Sequence, residues 1–552
     1  MEKRTLLALA ISFAVLGFYP VLLQKFYPDT YRNSEKSQKQ AKTVASSASS
    51  KDSRPFISNT SDQSHSFKPA GVYVSSEDRT FSNPKLNLVF NEKGAGIRQA
   101  EFPKFQSAKT KSPLRFFSLQ SPGGTATSLA FLESRPWLGV EAPVYQMAQE
   151  SPRVLTASAS WPEGLRLVKR YEFGSDSYSG DLKFQFENTS DKPIEFRYQL
   201  FAGTSLAPRN SIDSQYIEAN FYSVVNEKPS LSHLRETKSG KSVPSVGPVE
   251  WIAVKDRHFS VILKPKSGKS FTGLVEGLGE RHFRASLVSE KILLGPHESL
   301  QHDFLLYIGP NDLEELLPLG LDPIVNFGKL DVIGKLLVGA LEMVHKVTRN
   351  YGLAIILLTA LINLMLFPLT RASYLSMKRM QLIQPQMNKL REQNKKNPEK
   401  LNREMMELYK KHKVNPFGGC LPMVIQMPVF IALYVALSKS VILINAGFLW
   451  VRDLSTPDNL PLPFALPFLG QEIHVLPLIM VGAMALQQKF TQIKMQGQDP
   501  AMESQQKMMA VMMPVIFGFI FYNMPSGLVL YWLTNTLLMT AYQLRIKNMT
   551  LA

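Results

Sequence analysis

The pattern of hydrophobic and polar positions changes character three times along the chain. It begins with an apolar run, Thr5 to Leu23, preceded by Met1-Glu-Lys-Arg4. A run of about 19 residues is long enough to cross a bilayer. Gly17-Phe18-Tyr19-Pro20-Val21 offers no small-x-small cleavage site, so residues 1–24 are expected to be an uncleaved signal anchor. Lys3 and Arg4 would hold its N-terminus in the cytoplasm. Residues 25–83 are rich in Ser, Lys, Gln and Asn and include Ala45-Ser-Ser-Ala-Ser-Ser-Lys51. They hold too little apolar surface to bury, which predicts a flexible tether. Over 84–322 the pattern alternates with period two, as in Leu86-Asn-Leu-Val-Phe90, Leu182-Lys-Phe-Gln-Phe186 and Ile194-Glu-Phe-Arg-Tyr198. Turn clusters such as Asn188-Thr-Ser-Asp-Lys-Pro193 separate these runs, and together they predict an antiparallel β-sandwich.

Around Leu330 the period lengthens. Leu330, Ile333, Leu337, Leu341, Val344 and Val347 recur at spacings of three and four. This predicts an amphipathic helix over 323–349, lying in the outer membrane interface because an apolar segment follows at once. Further apolar segments run over about 351–369, 418–440, 475–490, 508–523 and 526–544, with Pro514 interrupting the fourth. With the anchor they make six spans. The expected fold is a mixed membrane protein, with a polytopic α-helical core over 350–545 and a large periplasmic β-sandwich. A tail at 546–552 would lie in the cytoplasm.

Between the second and third spans, residues 371–415 are expected in the cytoplasm. Met380, Ile383, Met387 and Leu390 form one apolar stripe, and Leu401, Met405 and Leu408 form another. Asn394-Lys-Lys-Asn-Pro398 lies between them, with Pro398 suited to a helix start. The two stripes predict an antiparallel helical hairpin.

Composition refines this picture. Over 552 residues the mean hydropathy is only −0.07, because polar and apolar stretches are segregated rather than mixed. The formal charge of +17 is uneven. Lys378, Arg379, Lys389, Arg391, Lys395, Lys396, Lys410 and Lys411 all fall in the predicted hairpin. Such charge fits the cytoplasmic side of a membrane better than sequence-specific nucleic-acid binding. It could meet anionic lipid or a ribosome's RNA surface. Cys420 is the only cysteine, so no intramolecular disulfide is possible. The histidines show no metal-ligand spacing, and no acidic–histidine constellation marks the sandwich as a sugar site. A structural or docking role is expected for it.

The candidate chemistry lies in Lys413-Val-Asn-Pro-Phe-Gly-Gly-Cys-Leu-Pro-Met-Val-Ile-Gln-Met-Pro-Val-Phe-Ile-Ala-Leu-Tyr434. A basic segment turns into an apolar helix that carries Pro422, Gln426 and Pro428. Polar groups and broken backbone are tolerated at membrane depth where protein or water satisfies them, so this helix is expected to border a wet cavity.

At these residues the chain resembles a Gram-negative YidC-type membrane protein insertase, over essentially its whole length. The resemblance rests on Met405-Met-Glu-Leu-Tyr-Lys410 running into the stretch from Lys413 to Pro428. It rests also on Met513-Pro-Val-Ile-Phe517 and on Phe521-Tyr-Asn-Met-Pro-Ser-Gly-Leu-Val-Leu-Tyr-Trp532. It implies an insertase and chaperone of the bacterial inner membrane, without covalent chemistry, cofactor or metal. Nascent membrane proteins would pass sideways into lipid from a hydrophilic groove open to cytoplasm and bilayer, beside the Sec translocon or without it. The functional unit would be a monomer. Tyr531 and Trp532 match the family's motif and are candidates for substrate contact.

One departure stands out. The family usually carries an arginine in the second span, a few residues before a Pro-Leu-Thr. Here Pro368-Leu-Thr370 is present and the matching position is Asn363. Asn363, Thr359 and Gln426 therefore predict a neutral polar groove. Lys439, near the far end of the third span, is expected to snorkel to the outer interface. Some relatives also carry a long basic tail that holds the ribosome. Only Gln-Leu-Arg-Ile-Lys-Asn-Met-Thr-Leu-Ala follows Tyr542, so weak ribosome contact through the hairpin is expected. A transporter is the competing class, but the predicted second to sixth spans contain no Asp or Glu that could couple an ion.

Overall fold

The computed structural model describes residues 79–106, 112–117, 126–132, 144–204, 216–225, 228–234, 241–266, 271–279, 282–394, 397–412, 414, 421–466, 470–491 and 500–547. The expected anchor, nearly all of the tether and the last five residues of the tail lie outside them.

Alternation builds the β-sheet domain as expected. In Leu165–Phe173 every second side chain is buried: Leu165, Leu167, Lys169, Tyr171 and Phe173. The first four strands, β1 (Arg79–Ser82), β2 (Asn87–Asn91), β3 (Gly96–Gln106) and β4 (Pro113–Phe117), form an antiparallel sheet in chain order. A second antiparallel sheet contains thirteen strands among the described residues. Its main path runs through the strands beginning at Leu129, Tyr198, His282, Thr272, Ser242, Phe259, Ser299, Ser179, Leu165, Val154 and Gln146. The long strand Ser242–Lys255 shifts register between Pro244 and Pro248, and its two halves pair with different neighbours. Proline cannot donate to a ladder, so the pairing breaks there.

The two ends of this path face each other. Tyr198 lies 5.1 Å from the Phe186 ring and shares a 2.5 Å hydrogen bond with His302 Nδ1, both far from it along the path. The smaller sheet covers another part of the same core, with Phe102 stacked on Phe259 at 4.6 Å and Phe81 on Phe173 at 4.7 Å.

Lys169 is the polar member of its buried row. Its ammonium donates to the carbonyls of Gly94 at 2.6 Å and Thr127 at 3.2 Å, under the Tyr145 and Phe184 rings. Gly94 and Thr127 have left-handed backbones, with φ of 75° and 63°. Tyr171 donates to Ala95 O at 2.6 Å and so ties the same turn. Burial without a counter-ion pushes the Lys169 pKa down to about 7.

A strap over 311–330 leaves the β-sheet domain and covers its surface. Lys255 and Lys264 donate to strap carbonyls, Ile324 O at 2.8 Å and Leu319 O at 3.0 Å. The strap leads into α1 (Asp331–Thr348), followed by α2 (Tyr351–Met365), α3 (Phe367–Gln393), α4 (Pro398–Lys411), α5 (Leu421–Lys439), α6 (Val475–Thr491), α7 (Pro500–Tyr522) and α8 (Ser526–Lys547). A β-hairpin, Asn459–Leu466 with Gly470–His474, sits between α5 and α6 and was not expected from the sequence.

Among the described residues no single helix is long and apolar enough to cross a membrane. One bent pair, Tyr351–Met365 with Phe367–Met380, passes together, with a 59° bend between its parts. The bend refines the sequence reading: the second apolar segment ends at Leu366, and the first hairpin arm starts at Phe367 rather than at 371. Pro368 explains the break, because it lacks an N–H and fits only the first turn of a new helix.

The amphipathic helix α1 carries two apolar faces. Gly334, Leu337, Val338 and Leu341 are buried, and the helix packs against α2 and α5. Val332, Leu336, Met343 and Val347 form a second stripe and stay exposed, Val347 at 85%. The predicted single stripe is thus divided, with Val347 on the open side. Glu342 of this helix is half-buried, and burial with Asp312 and Glu314 nearby raises its pKa to about 7.

Candidate polar groove

The candidate site is built from α2, α5 and α8. Asn350 caps α2 by accepting from Leu353 N at 3.1 Å, which fixes where the helix begins. Gly352 follows. A Cβ there would lie 2.2 Å from the Phe448 ring, so glycine lets the loop after α5 close onto the helix. Two turns further on, Thr359 is buried and its hydroxyl donates to Ile355 O at 2.6 Å. The structure thus satisfies Thr359 within its own helix.

Asn363 reaches across helices. Its Nδ2 donates to Thr359 O at 2.8 Å and to Asn535 Oδ1 at 2.9 Å, on α8. Gln426, on α5, donates through Nε2 to the Tyr531 hydroxyl at 2.7 Å, also on α8. Tyr531 and Asn535 are four residues apart and share one face of that helix. Lower on α8, Gln543 Nε2 donates to the Tyr374 hydroxyl of α3 at 2.6 Å. The three rungs span about 18 Å at 1.5 Å per residue. Gln426 and Asn363 therefore do not need each other: α8 supplies a partner to each.

Asn535 is the residue that sequence reasoning missed. Its signal was the polar run Thr534-Asn-Thr536 inside an apolar segment. Trp532, singled out with Tyr531, packs in an aromatic cluster with Phe430 at 4.8 Å, Phe517 at 5.2 Å and Phe521 at 5.3 Å. It joins α5, α7 and α8, whereas Tyr531 is buried and hydrogen-bonded.

The end nearest the β-sheet domain is packed by the loop after α5. Val441, Leu443, Ile444, Val451 and Leu454 are buried in the loop after α5. Its polar groups are matched: Asp458 accepts from Leu476 N at 2.6 Å and Trp450 Nε1 at 3.1 Å, and Thr456 O accepts from Ser526 N at 2.8 Å. The β-sheet domain closes on the same place. Buried Arg257 donates through Nε to Ser438 O at the end of α5, and Lys439 donates to Asn326 O of the strap at 2.6 Å. Asn445 and the Gln106 backbone exchange two hydrogen bonds, at 2.7 and 2.9 Å.

At the opposite end the helical hairpin forms. Ile383, Met387 and Val414 are buried, with Met380, Met405, Leu408 and Tyr409 packed on them. Asn397 caps α4 ahead of Pro398, and Asn394 donates to Glu404 at 2.7 Å across the turn. Arg379, Lys389, Lys410 and Lys411 are exposed on this hairpin, and Lys378 and Arg391 are partly so. Lys395, Lys396, Lys413 and the stretch 415–420 lie outside the described residues. Apolar side chains are exposed on several helices: Leu353, Leu357, Leu361 and Leu364 of α2, Met427 and Ile431 of α5, and Val511, Val515 and Phe519 of α7. Exposed apolar surface of this kind suits lipid contact. Among the described residues no group of three or more His, Cys, Asp or Glu could hold a metal ion.

Residues 79–340 match the family model described as YidC periplasmic domain, and residues 343–551 match that of the 60Kd inner membrane protein. The membrane protein insertase YidC of Geobacter sulfurreducens is 32% identical over 485 residues, 84% of this chain and 85% of its own. That of Syntrophobacter fumaroxidans is 32% identical over 560 residues, 98% of this chain and 99% of its own. A solved active YidC insertase, with its first transmembrane domain resolved, aligns at 20% identity and a TM-score of 0.36, over 86% of this chain and 93% of its own.

Proposed function

The chain belongs to the YidC family of membrane protein insertases, and we propose that it moves nascent segments into lipid along a neutral polar groove whose centre is the Asn363–Asn535 pair. As a YidC-type insertase and chaperone it acts on nascent membrane proteins, without a catalytic reaction. It is an inner-membrane protein with a large periplasmic domain.

The observation that carries the groove reading is the hydrogen bond between two uncharged amides, Asn363 and Asn535, on two different helices. Polar groups stranded in hydrocarbon cost several kcal/mol each. Three polar rungs along α8 shorten the dry path that a substrate's polar flank must cross. The packed loop at the β-sheet domain and the basic hairpin at the other end support a groove open toward the cytoplasm. Apolar burial of the substrate in lipid supplies the net driving force.

Further parts of the reading follow the sequence. Of six spans, with both termini in the cytoplasm, the anchor is the first and the other five form the insertase core over 350–545. The segments 1–24, 25–83, 84–322 and 323–349 serve as anchor, tether, periplasmic domain and interfacial helix. Gln426 and Tyr531 line the groove beside Asn363. Thr359 sets the backbone carbonyl that Asn363 uses, and Trp532 supports the wall. The basic hairpin meets anionic lipid and the ribosome, and the Sec translocon is a partner for longer substrates.

Replacing Asn363 by Leu is expected to slow insertion of substrates with polar flanks, while Lys439→Gln changes little because that side chain serves the strap. Complementation and insertion into protein-free liposomes, without nucleotide, check both. The opposite ranking would sink the neutral-groove reading.

A further inference from the structure

An open cleft of about 410 Å³ lies where α1 ends and α2 begins, away from the polar rungs. His345, Arg349, Asn350 and Tyr351 line one side of it, and the loop residues Ile442 and Ile444–Gly447 line the other. None of the lining residues is acidic. Arg349 ends α1 with a left-handed backbone, φ 52°, its N–H donating to His345 O at 2.7 Å. Its guanidinium is exposed and has no partner among the described residues. The His345 ring lies flat on Tyr351, 3.7 Å away and within 2° of parallel. Stacking holds its plane and leaves its nitrogens at the edge, again without a hydrogen-bond partner among the described residues. Lys346, by contrast, is 3.4 Å from Glu314.

In sequence, exposed Met343 and Val347 precede these residues and exposed Leu353 follows them, an apolar rim along the chain. An exposed guanidinium and an imidazole edge beside an apolar rim match an amphiphile with an anionic head. Guanidinium forms strong, geometrically specific bonds to phosphate. We propose that this cleft binds the phosphodiester headgroup of an anionic phospholipid from the outer leaflet, with an acyl chain along Met343, Val347 and Leu353. Free phosphate shares the headgroup chemistry but has no use for the rim. The assignment rests on the insertase reading, which puts this end of α2 at the periplasmic face.

The test uses the full chain in detergent, titrated with phosphatidylglycerol, phosphatidylcholine or inorganic phosphate and read by native mass spectrometry. Phosphatidylglycerol should be retained in preference to phosphatidylcholine. Arg349→Gln should weaken retention about tenfold, the scale of a charge-assisted contact. Arg349→Lys should restore only part of it, since an ammonium keeps the charge but not the forked geometry, and Lys346→Gln should leave it unchanged. Val347→Ser with Met343→Ser should weaken lipid but not phosphate. Equal retention of the two lipids, or an Arg349→Gln variant that binds as the parent does, overturns the proposal. Displacement of phosphatidylglycerol by an equal concentration of inorganic phosphate also overturns it, assigning the site to a soluble anion. Insertion activity is scored separately. A chain that inserts substrate but lacks this selectivity refutes the lipid site alone; a chain that selects lipid through Arg349 but inserts nothing refutes the insertase reading alone.

Discussion

Lys169 shows what one residue can impose. It occupies a period-two core position yet carries an ammonium, and its acceptors are two carbonyls on left-handed turns. The titratable groups facing it are Tyr145 and Tyr171, whose own pKa values burial raises well above the usual phenol range. The folded pKa is about 7, against 10.5 for the free side chain. Between these values the unfolded chain holds a proton that the folded domain has released. The Lys169 contribution to stability therefore rises with pH from about 7 to about 10.5, by at most about 1.4 kcal/mol per unit. Lys169→Met should flatten this slope in the unfolding transition of the β-sheet domain, measured in the full chain across that range. An unchanged slope would mean that another group sets it. No feature of the sequence marks Lys169 as buried; the period-two row only marks its position as inward.

At the scale of elements, α2 depends on contacts that propensity does not reveal. The sequence placed its start near 351 but carried it through Pro368 to 369; the Asn350 cap and the break after Leu366 came from the structure. The close approach of Phe448 over Gly352 was not legible, since the two lie about a hundred residues apart. Substituting Gly352 by Leu should force the loop after α5 off the helix and cost about 1–3 kcal/mol, as overpacking does. Thermal unfolding in detergent, with proteolysis of the 441–458 loop, would register the loss; wild-type behaviour in both would exclude this wedge. Likewise α8 reads from sequence as a plain apolar helix, and its part as shared partner of Asn363, Gln426 and Tyr374 emerges only once three helices converge on it.

For the whole molecule, the β-sheet domain and the helical part meet at the end of α5. Arg257, on the turn Asp256-Arg257-His258, caps that helix by donating to Ser438 O, and its guanidinium lies 5.6 Å over the Tyr216 ring. A cation at a helix C-terminus is favourable, and a charge-assisted bond there is worth about 1.5–3 kcal/mol. Arg257→Ala should raise hydrogen exchange in the last turn of α5 and leave the α3–α4 hairpin unaffected. Exchange unchanged at Ser438–Lys439 would show that Asn445 and Lys439 hold the junction without it.

The sequence alone determined the β-sheet domain, the amphipathic helix, the hairpin and the family, because each depends on a local period or a contiguous motif. It also singled out Asn363 as a polar position in an apolar segment. Only the tertiary structure decided what that asparagine binds, that Thr359 is satisfied within its own helix, and that the apolar surface of α1 divides into a packed and an open face. The reason is physical. Periodicity records which side of an element is inward, but the cross-helix hydrogen bonds and close approaches join segments roughly 100 to 170 residues apart.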